Sequence, residues 1–239
     1  EKTTAPLPPS GSVDLYLVRF LEHQTESATM THLRSTVLAI ENYMGFPLPV
    51  KEIIMLFSTN IDAGGINYGT HFTLDLSEDA SLPQLIEGGI VHEITHFYRV
   101  MDSSWFGEGT ANFLATQVGF DLYNQEVAPG SNRSSCPNDV TNITEIAAAY
   151  PGYYPEPIVH RFCYHNYGEK IIRGLKAAMD DGPFHAAWRE IFQTNIEEDR
   201  KFTDAEIYQL FLKHTPTDRI SRVNKVFVQL HGGDFVASP

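Results

Sequence analysis

Residues 92–96 read His92-Glu93-Ile94-Thr95-His96. Residues four apart on a helix share one face, so the two imidazoles can hold a single metal ion. Glu93 lies beside them, near enough to take a proton from an activated water. Two nitrogen ligands and an adjacent base predict a hydrolytic metal centre. A surface helix that happens to carry two histidines is the alternative.

The segment around this pentapeptide predicts an amphipathic helix over residues 82–100. Pro83 lies in its first turn, and Gly88 and Gly89 would let another element approach closely. Apolar residues follow a helical period at positions 82, 85, 86, 90, 91, 97, 100 and 101.

A third protein ligand is expected, because catalytic zinc usually has three protein ligands and a water. Glu108 is one candidate and requires only a loop followed by a second helix. Asp102, six residues after His96, is the other candidate. Asp102 would need the chain to turn back sharply at position 99, where Arg99 stands instead of a glycine. We therefore favour Glu108.

Residues 92–115 resemble the gluzincin metallopeptidases, the group that contains thermolysin-like proteases and zinc aminopeptidases. Their pattern is His-Glu-x-x-His on one helix and a ligating Glu on the next, often within Trp-x-x-Glu-Gly-x-Ala. Four residues match that second element: Trp105, Glu108, Gly109 and Ala111. The 11 residues between His96 and Glu108 are a short gap for the group and indicate a compact variant.

The resemblance implies one Zn²⁺ bound by His92, His96 and Glu108, with Glu93 as general base. It also implies a thermolysin-like α+β fold, with a small mixed sheet and the active-site helices in the N-terminal lobe and only helices in the C-terminal lobe. A Tyr or His after the third ligand would stabilise the oxyanion, and position favours Tyr153 or Tyr154. Packing roles for these two aromatic residues remain open.

Five further histidines show no ligand spacing and are expected to be surface or capping residues. They are His71, His165, His185, His214 and His231.

Residues 65–76 end in an alternation of apolar and polar side chains that predicts a half-buried strand. In gluzincins this strand is an edge strand that pairs with the substrate backbone, so we expect a peptide or protein substrate along it. Zinc aminopeptidases carry Gly-x-Met-Glu-Asn here, and its Glu holds the substrate amino terminus. This chain reads Gly65-Ile66-Asn67-Tyr68-Gly69, without a Glu, which argues against aminopeptidase activity.

Composition narrows the function classes. The 239 residues are 42% hydrophobic and carry a formal net charge of -13, so we expect a sizeable core and no nucleic-acid partner. No apolar run is long enough to span a bilayer. Residues 1–12 contain three prolines and predict a flexible leader that follows a removed targeting segment or an anchor.

The two cysteines, Cys136 and Cys163, form either a disulfide or two free thiols. A pair that includes a loop cysteine favours an extracytoplasmic or secreted location.

The predicted layout is a leader at 1–12, a mixed α+β lobe at 13–143 and a helical lobe at 144–239. Strands are expected at 50–58 and 70–76. Helices other than 82–100 are expected at 13–24, 30–44, 107–119, 144–149, 157–179, 183–194, 203–213 and 217–230.

These observations favour a zinc-dependent metallopeptidase. The alternatives are a non-catalytic zinc module that binds peptides and a metal-dependent hydrolase of a non-peptide substrate. Four side-chain ligands would indicate the module, whereas two histidines and one glutamate leave a position for water.

Overall fold

The computed structural model describes residues 2–7, 11–18, 26–58, 65–75, 89–98, 104–123, 141–145 and 161–232. The chain divides into two compact units. Unit 1 comprises Glu1–Tyr98 and Leu114–Ser131, and unit 2 comprises Arg99–Phe113 and Asn132–Pro239. The chain passes from unit 2 back to unit 1 within one helix. The lobe boundary between 143 and 144 stays a prediction.

Unit 1 contains a five-stranded mixed sheet with the order β1-β2-β3-β5-β4. Strands β2, β3 and β5 are parallel, and the outer strands β1 and β4 pair antiparallel with their neighbours. The strands are β1 (Lys2–Leu7), β2 (Gly11–Val18), β3 (Glu52–Ser58), β4 (Gly65–Asn67) and β5 (His71–Asp75). A mixed sheet beside a mostly helical remainder agrees with the expected α+β class.

The predicted flexible leader at 1–12 is wrong for most of its length. Lys2–Leu7 forms β1, which pairs antiparallel with β2 from Lys2↔Tyr16 to Leu7↔Gly11. Prolines are tolerated in an outer strand because the amide on the open side needs no ladder partner.

The predicted helix at 13–24 is also wrong, because Gly11–Val18 is strand β2. Val13 and Leu15 are buried, whereas Asp14 and Tyr16 are half-buried. Apolar residues at 13, 16 and 17 fit a helical period, but those at 13 and 15 also fit the two-residue period of a strand. Pairing with β3, which the local sequence does not reveal, decides between them.

The predicted strand at 70–76 is confirmed as β5, but it is not an edge strand. It lies between β3 and β4, and Phe72, Thr73 and Leu74 are all buried. Within the described residues, the short strand β4 ends the sheet on this side. Gly69, at a φ of 82°, closes the hairpin between β4 and β5.

Helix α1 (Glu26–Met44) confirms the helix predicted at 30–44 and buries its predicted apolar stripe: Leu33, Val37, Ile40 and Met44. The motif segment forms helix α2 (Val91–Thr95), which continues as a 3-10 turn over His96–Tyr98. Residues 82–88 and 99–100 of the predicted helix lie outside the described residues. Gly89 lies against β5, since a Cβ there would meet Leu74 Cδ2 at 3.1 Å.

Helix α3 (Ser104–Tyr123) starts in unit 2 and ends in unit 1. Unit 2 also contains α4 (Arg161–Met179), α5 (Asp181–Glu198), α6 (Asp204–His214) and α7 (Ile220–Val226). Their core is rich in aromatic side chains, and Phe106 stacks on Phe192 with 5.7 Å between ring centroids. Among the described helices, none combines the length and apolar character needed to cross a membrane.

Candidate metal centre

The two motif histidines converge on one point. The Nε2 atoms of His92 and His96 are 3.1 Å apart, and their rings meet edge to face. Two nitrogens that each lie about 2.0–2.1 Å from one tetrahedral zinc ion would be roughly 3.3 Å apart. The pair therefore fits joint ligation of one ion, as the four-residue spacing predicts.

Glu93 is buried, with 4% of its surface exposed, and its carboxylate lies directly against Gly65 of β4. A Cβ at position 65 would stand 2.5 Å from Glu93 Oε1, so only glycine fits there without displacing the carboxylate. Strand β4 thus forms one wall around the expected general base.

A side-chain hydrogen bond also ties β4 to α2. Asn67 Nδ2 donates to the Glu93 carbonyl oxygen over 2.7 Å, and the Gly69 amide donates to Asn67 Oδ1 over 2.7 Å. The same asparagine therefore joins the hairpin turn to the backbone of the motif helix. Two contacts therefore fix Glu93 relative to β4. The Gly65 backbone lies against its carboxylate, and the Asn67 side chain donates to its carbonyl oxygen.

The far end of the motif segment is anchored by Tyr98. Its hydroxyl donates to the Phe46 carbonyl oxygen over 3.0 Å. Burial, followed by the nearby Glu41 carboxylate, raises the pKa of Tyr98 well above 10.0, so the phenol keeps the proton it donates.

In unit 2, Glu108 pairs with a histidine that the sequence pattern does not single out. Glu108 Oε2 lies 2.8 Å from His165 Nε2, with 22% and 15% of the two side chains exposed. Helices α3 and α4 approach each other at two glycines. A Cβ on Gly109 would lie 2.3 Å from the Gly168 carbonyl carbon, and one on Gly168 would lie 2.0 Å from the Trp105 carbonyl oxygen. This glycine crossing places Glu108 beside His165, one turn before Gly168.

Trp105 anchors the first turn of α3, one turn before Glu108. Its Nε1 donates to Asp204 Oδ1 over 2.8 Å, and His231 Nε2 lies 2.9 Å from Asp204 Oδ2. His231 is 4% exposed, so the surface role expected for it is wrong. The tryptophan of the second motif therefore holds the helix that carries Glu108.

Within the described residues of unit 2, Glu108 and His165 bring a carboxylate oxygen and an imidazole nitrogen close enough to share one metal ion. Nitrogen and oxygen donors of this kind suit zinc. The surface or capping role expected for His165 is wrong. It stands 57 positions after Glu108, and tertiary packing alone brings the two together. The paired glycines are the one sequence signal that could have indicated the close helix crossing.

Several predicted residues lie outside the described residues. They are Tyr153 and Tyr154, the predicted oxyanion donors, Asp102, the alternative ligand, and Cys136, half of the cysteine pair. Their roles stay predictions.

Comparison with solved structures shows a shared fold with M1 zinc metallopeptidases. A two-domain M1 zinc metallopeptidase, a point mutant bound to L-tryptophan, matches all of this chain with a TM-score of 0.64 and 13% identity. An M1 zinc metallopeptidase from Deinococcus radiodurans matches all of it with a TM-score of 0.61 and 12% identity. The chain spans 54% and 53% of those two proteins, about half of their length. No protein-family model and no curated protein matches the chain.

Proposed function

We propose that the chain is a zinc-dependent metallopeptidase of the gluzincin type, in which His92, His96 and Glu108 bind one Zn²⁺. The observation that carries the proposal is the convergent histidine pair with a buried carboxylate next to it. The M1 zinc metallopeptidase fold supports it. When bound, the ion would supply Lewis acidity that lowers the pKa of a water and polarises the peptide carbonyl.

Glu93 is the proposed proton carrier. Its carboxylate takes a proton from the attacking water and passes it to the nitrogen of the leaving amine. The contact with Gly65 limits the positions that the carboxylate can occupy, so little reorganisation is needed at the moment of transfer. Tyr153 or Tyr154 is proposed to donate to the oxyanion, as the gluzincin resemblance implies.

The proposed substrate is a peptide that adds as a strand beside β4. This strand ends the sheet within the described residues, and its known ladder partner, β5, occupies one side. An outer strand joined to the motif helix would bring the substrate backbone alongside Glu93. Similar structures carry L-tryptophan, L-arginine or a Tyr-Ser-Ala substrate, which supports a peptide as the substrate class.

A zinc module without catalytic activity is the second candidate, and His165 favours it. A fourth side-chain ligand would leave zinc no position for water. Glu93 favours the enzyme. A buried carboxylate beside two histidines can transfer a proton during hydrolysis, whereas in a module without catalytic activity its burial would only lower the stability of the fold.

Replacement of Glu93 by glutamine tests the proposed mechanism. Glu93→Gln keeps the size of the side chain but cannot accept the proton, so peptide hydrolysis should fall by about 10²- to 10⁴-fold while the zinc content stays unchanged. Turnover is measured on a mixed peptide pool and zinc by metal analysis. The exposed residue Glu197 gives the control, and Glu197→Gln should match the unsubstituted protein. Undiminished turnover by Glu93→Gln would exclude the mechanism.

A further inference from the structure

The hairpin between β4 and β5 presents an exposed aromatic ring next to the strand proposed to bind the substrate. We propose that Tyr68 is a specificity-determining residue, whose ring contacts one side chain of the bound peptide and favours peptides with an aromatic residue at that position. The inference rests on the proposed function, in which a peptide pairs with β4. It adds a preference among peptides to that function.

Tyr68 combines unusual exposure with a position beside the proposed substrate strand. Among the described residues, two large apolar residues are exposed, Tyr68 at 53% and Val228 at 51%. Val228 lies in unit 2, whereas Tyr68 directly follows β4 in unit 1. Single exposed apolar side chains are common on protein surfaces, so the order and the direction of the ring carry the inference.

The ring of Tyr68 is held in place by its neighbour across the hairpin. It stacks on the His71 imidazole, with 4.7 Å between the ring centroids and 18° between the ring planes. The Tyr68 amide also donates to the His71 carbonyl oxygen over 2.8 Å. His71 therefore covers one face of the ring, and the exposed remainder of the residue can contact a ligand. A ring that is already ordered loses little conformational entropy on binding.

Alternation along β4 decides which side of a bound peptide Tyr68 contacts. A Cβ on Gly65 would point at the Glu93 carboxylate, and the Asn67 side chain binds the Glu93 carbonyl oxygen, so both positions face α2. Successive residues of a strand point to opposite faces. Ile66, and Tyr68 at the end of the same ladder, therefore lie on the other face of the sheet.

A peptide added beside β4 would alternate in the same way. Its side chains on the α2 face would lie near Glu93, and those on the opposite face would lie beside Ile66 and Tyr68. Side chains directly opposite each other on neighbouring strands have Cβ atoms about 4.5–5.5 Å apart, within contact distance of a ring. Tyr68 would therefore contact a substrate residue that directly precedes or follows one facing the proton carrier.

The surroundings of the ring favour an aromatic partner over a charged one. Aromatic pairs on neighbouring strands are among the stabilising cross-strand pairs. Ile66 adds an apolar side chain on the same face, and residues 65–74 contain no acidic residue that would attract a basic side chain. The preferred peptide therefore carries Phe, Tyr or Trp at the position that contacts Tyr68.

Cleavage of a peptide library by the zinc-loaded full chain tests this preference. Mass spectrometry of the products identifies the residues on each side of every cleaved bond, and aromatic residues should be enriched at one position. Two peptides that differ only by Phe or Ala at that position are then compared. The kcat/KM of the unsubstituted protein should be about 10-fold higher for the Phe peptide.

Three variants assign the preference to Tyr68. Tyr68→Ala removes the ring and should lower kcat/KM for the Phe peptide by about 10-fold, with little change for the Ala peptide. Tyr68→Phe keeps a ring and should keep the preference. Val228→Ala shortens the other exposed apolar side chain and should match the unsubstituted protein. Thermal unfolding and metal analysis check that each variant is folded and loaded with zinc.

Two results would overturn the inference while the proposed function survives. One is peptide cleavage without enrichment of aromatic residues at any position. The other is an aromatic preference that Tyr68→Ala leaves unchanged. If Tyr68→Ala does not fold, Tyr68→Leu, which keeps an apolar side chain without a ring, decides by the same kcat/KM ratio. Failure of the zinc-loaded, unsubstituted chain to cleave any peptide would refute the proposed function and the inference with it.

Discussion

The residues of the candidate centre are held in two different ways. Around Glu93, in unit 1, a strand and a helix meet through Gly65 and Asn67, and the histidine pair follows from its spacing on one helix turn. Around Glu108, in unit 2, two helices meet at a glycine pair, and the partner histidine comes from far along the chain. Only the histidine pair is encoded locally, whereas the contacts of Glu93 with β4 and the pairing of Glu108 with His165 exist only after tertiary packing.

The largest effect should come from the ligand in unit 2. Glu108→Ala removes a proposed zinc ligand, so its loss of zinc affinity should exceed the roughly 100-fold upper limit for a supporting residue. Asp102→Ala is the comparison, since Asp102 is the less favoured candidate for the same role, and this variant should bind zinc almost normally. Chelator competition measures both. A larger loss of zinc affinity in Asp102→Ala than in Glu108→Ala would make Asp102 the third ligand. Helices α3 and α4 would then have no part in the site.

A smaller effect is expected in unit 1, from the contact that positions the base. Gly65→Ala places a methyl group where Glu93 Oε1 now lies, so the carboxylate must move, and kcat should fall by about 10- to 100-fold with zinc affinity unchanged. Gly182→Ala makes the same chemical change at a position with no atom within 4 Å. Equal kcat values for the two variants would mean that β4 does not position Glu93.

Much of the fold could be predicted because its signals are local. The four apolar residues of the α1 stripe are all buried, and strand β5 forms where the alternation predicts a strand, although Thr73 is buried as well as Phe72 and Leu74. Sheet order could not be predicted in this way. The apolar residues of β2 fit two periods, and only the pairing with β3 selects the strand. The outer position of β4 likewise depends on which strands are neighbours.

The candidate site shows the same difference between features with a local sequence signal and contacts between distant segments. The spacing of His92 and His96 predicts their convergence, which the structure shows. The contact of Glu93 with Gly65 and the pairing of Glu108 with His165 were not predictable, because each joins segments that are distant in sequence. A histidine whose partner is brought in by packing carries no spacing signal.

Zinc titration of chelator-stripped protein tests the central claim most directly. Peptide hydrolysis, followed as zinc is added, should rise linearly to one equivalent and then level off, because one ion would complete the proposed site of His92, His96 and Glu108. Full hydrolytic activity of the stripped protein before any zinc is added would contradict the claim. One equivalent of tightly bound zinc with no hydrolysis of any peptide in the pool would contradict it as well.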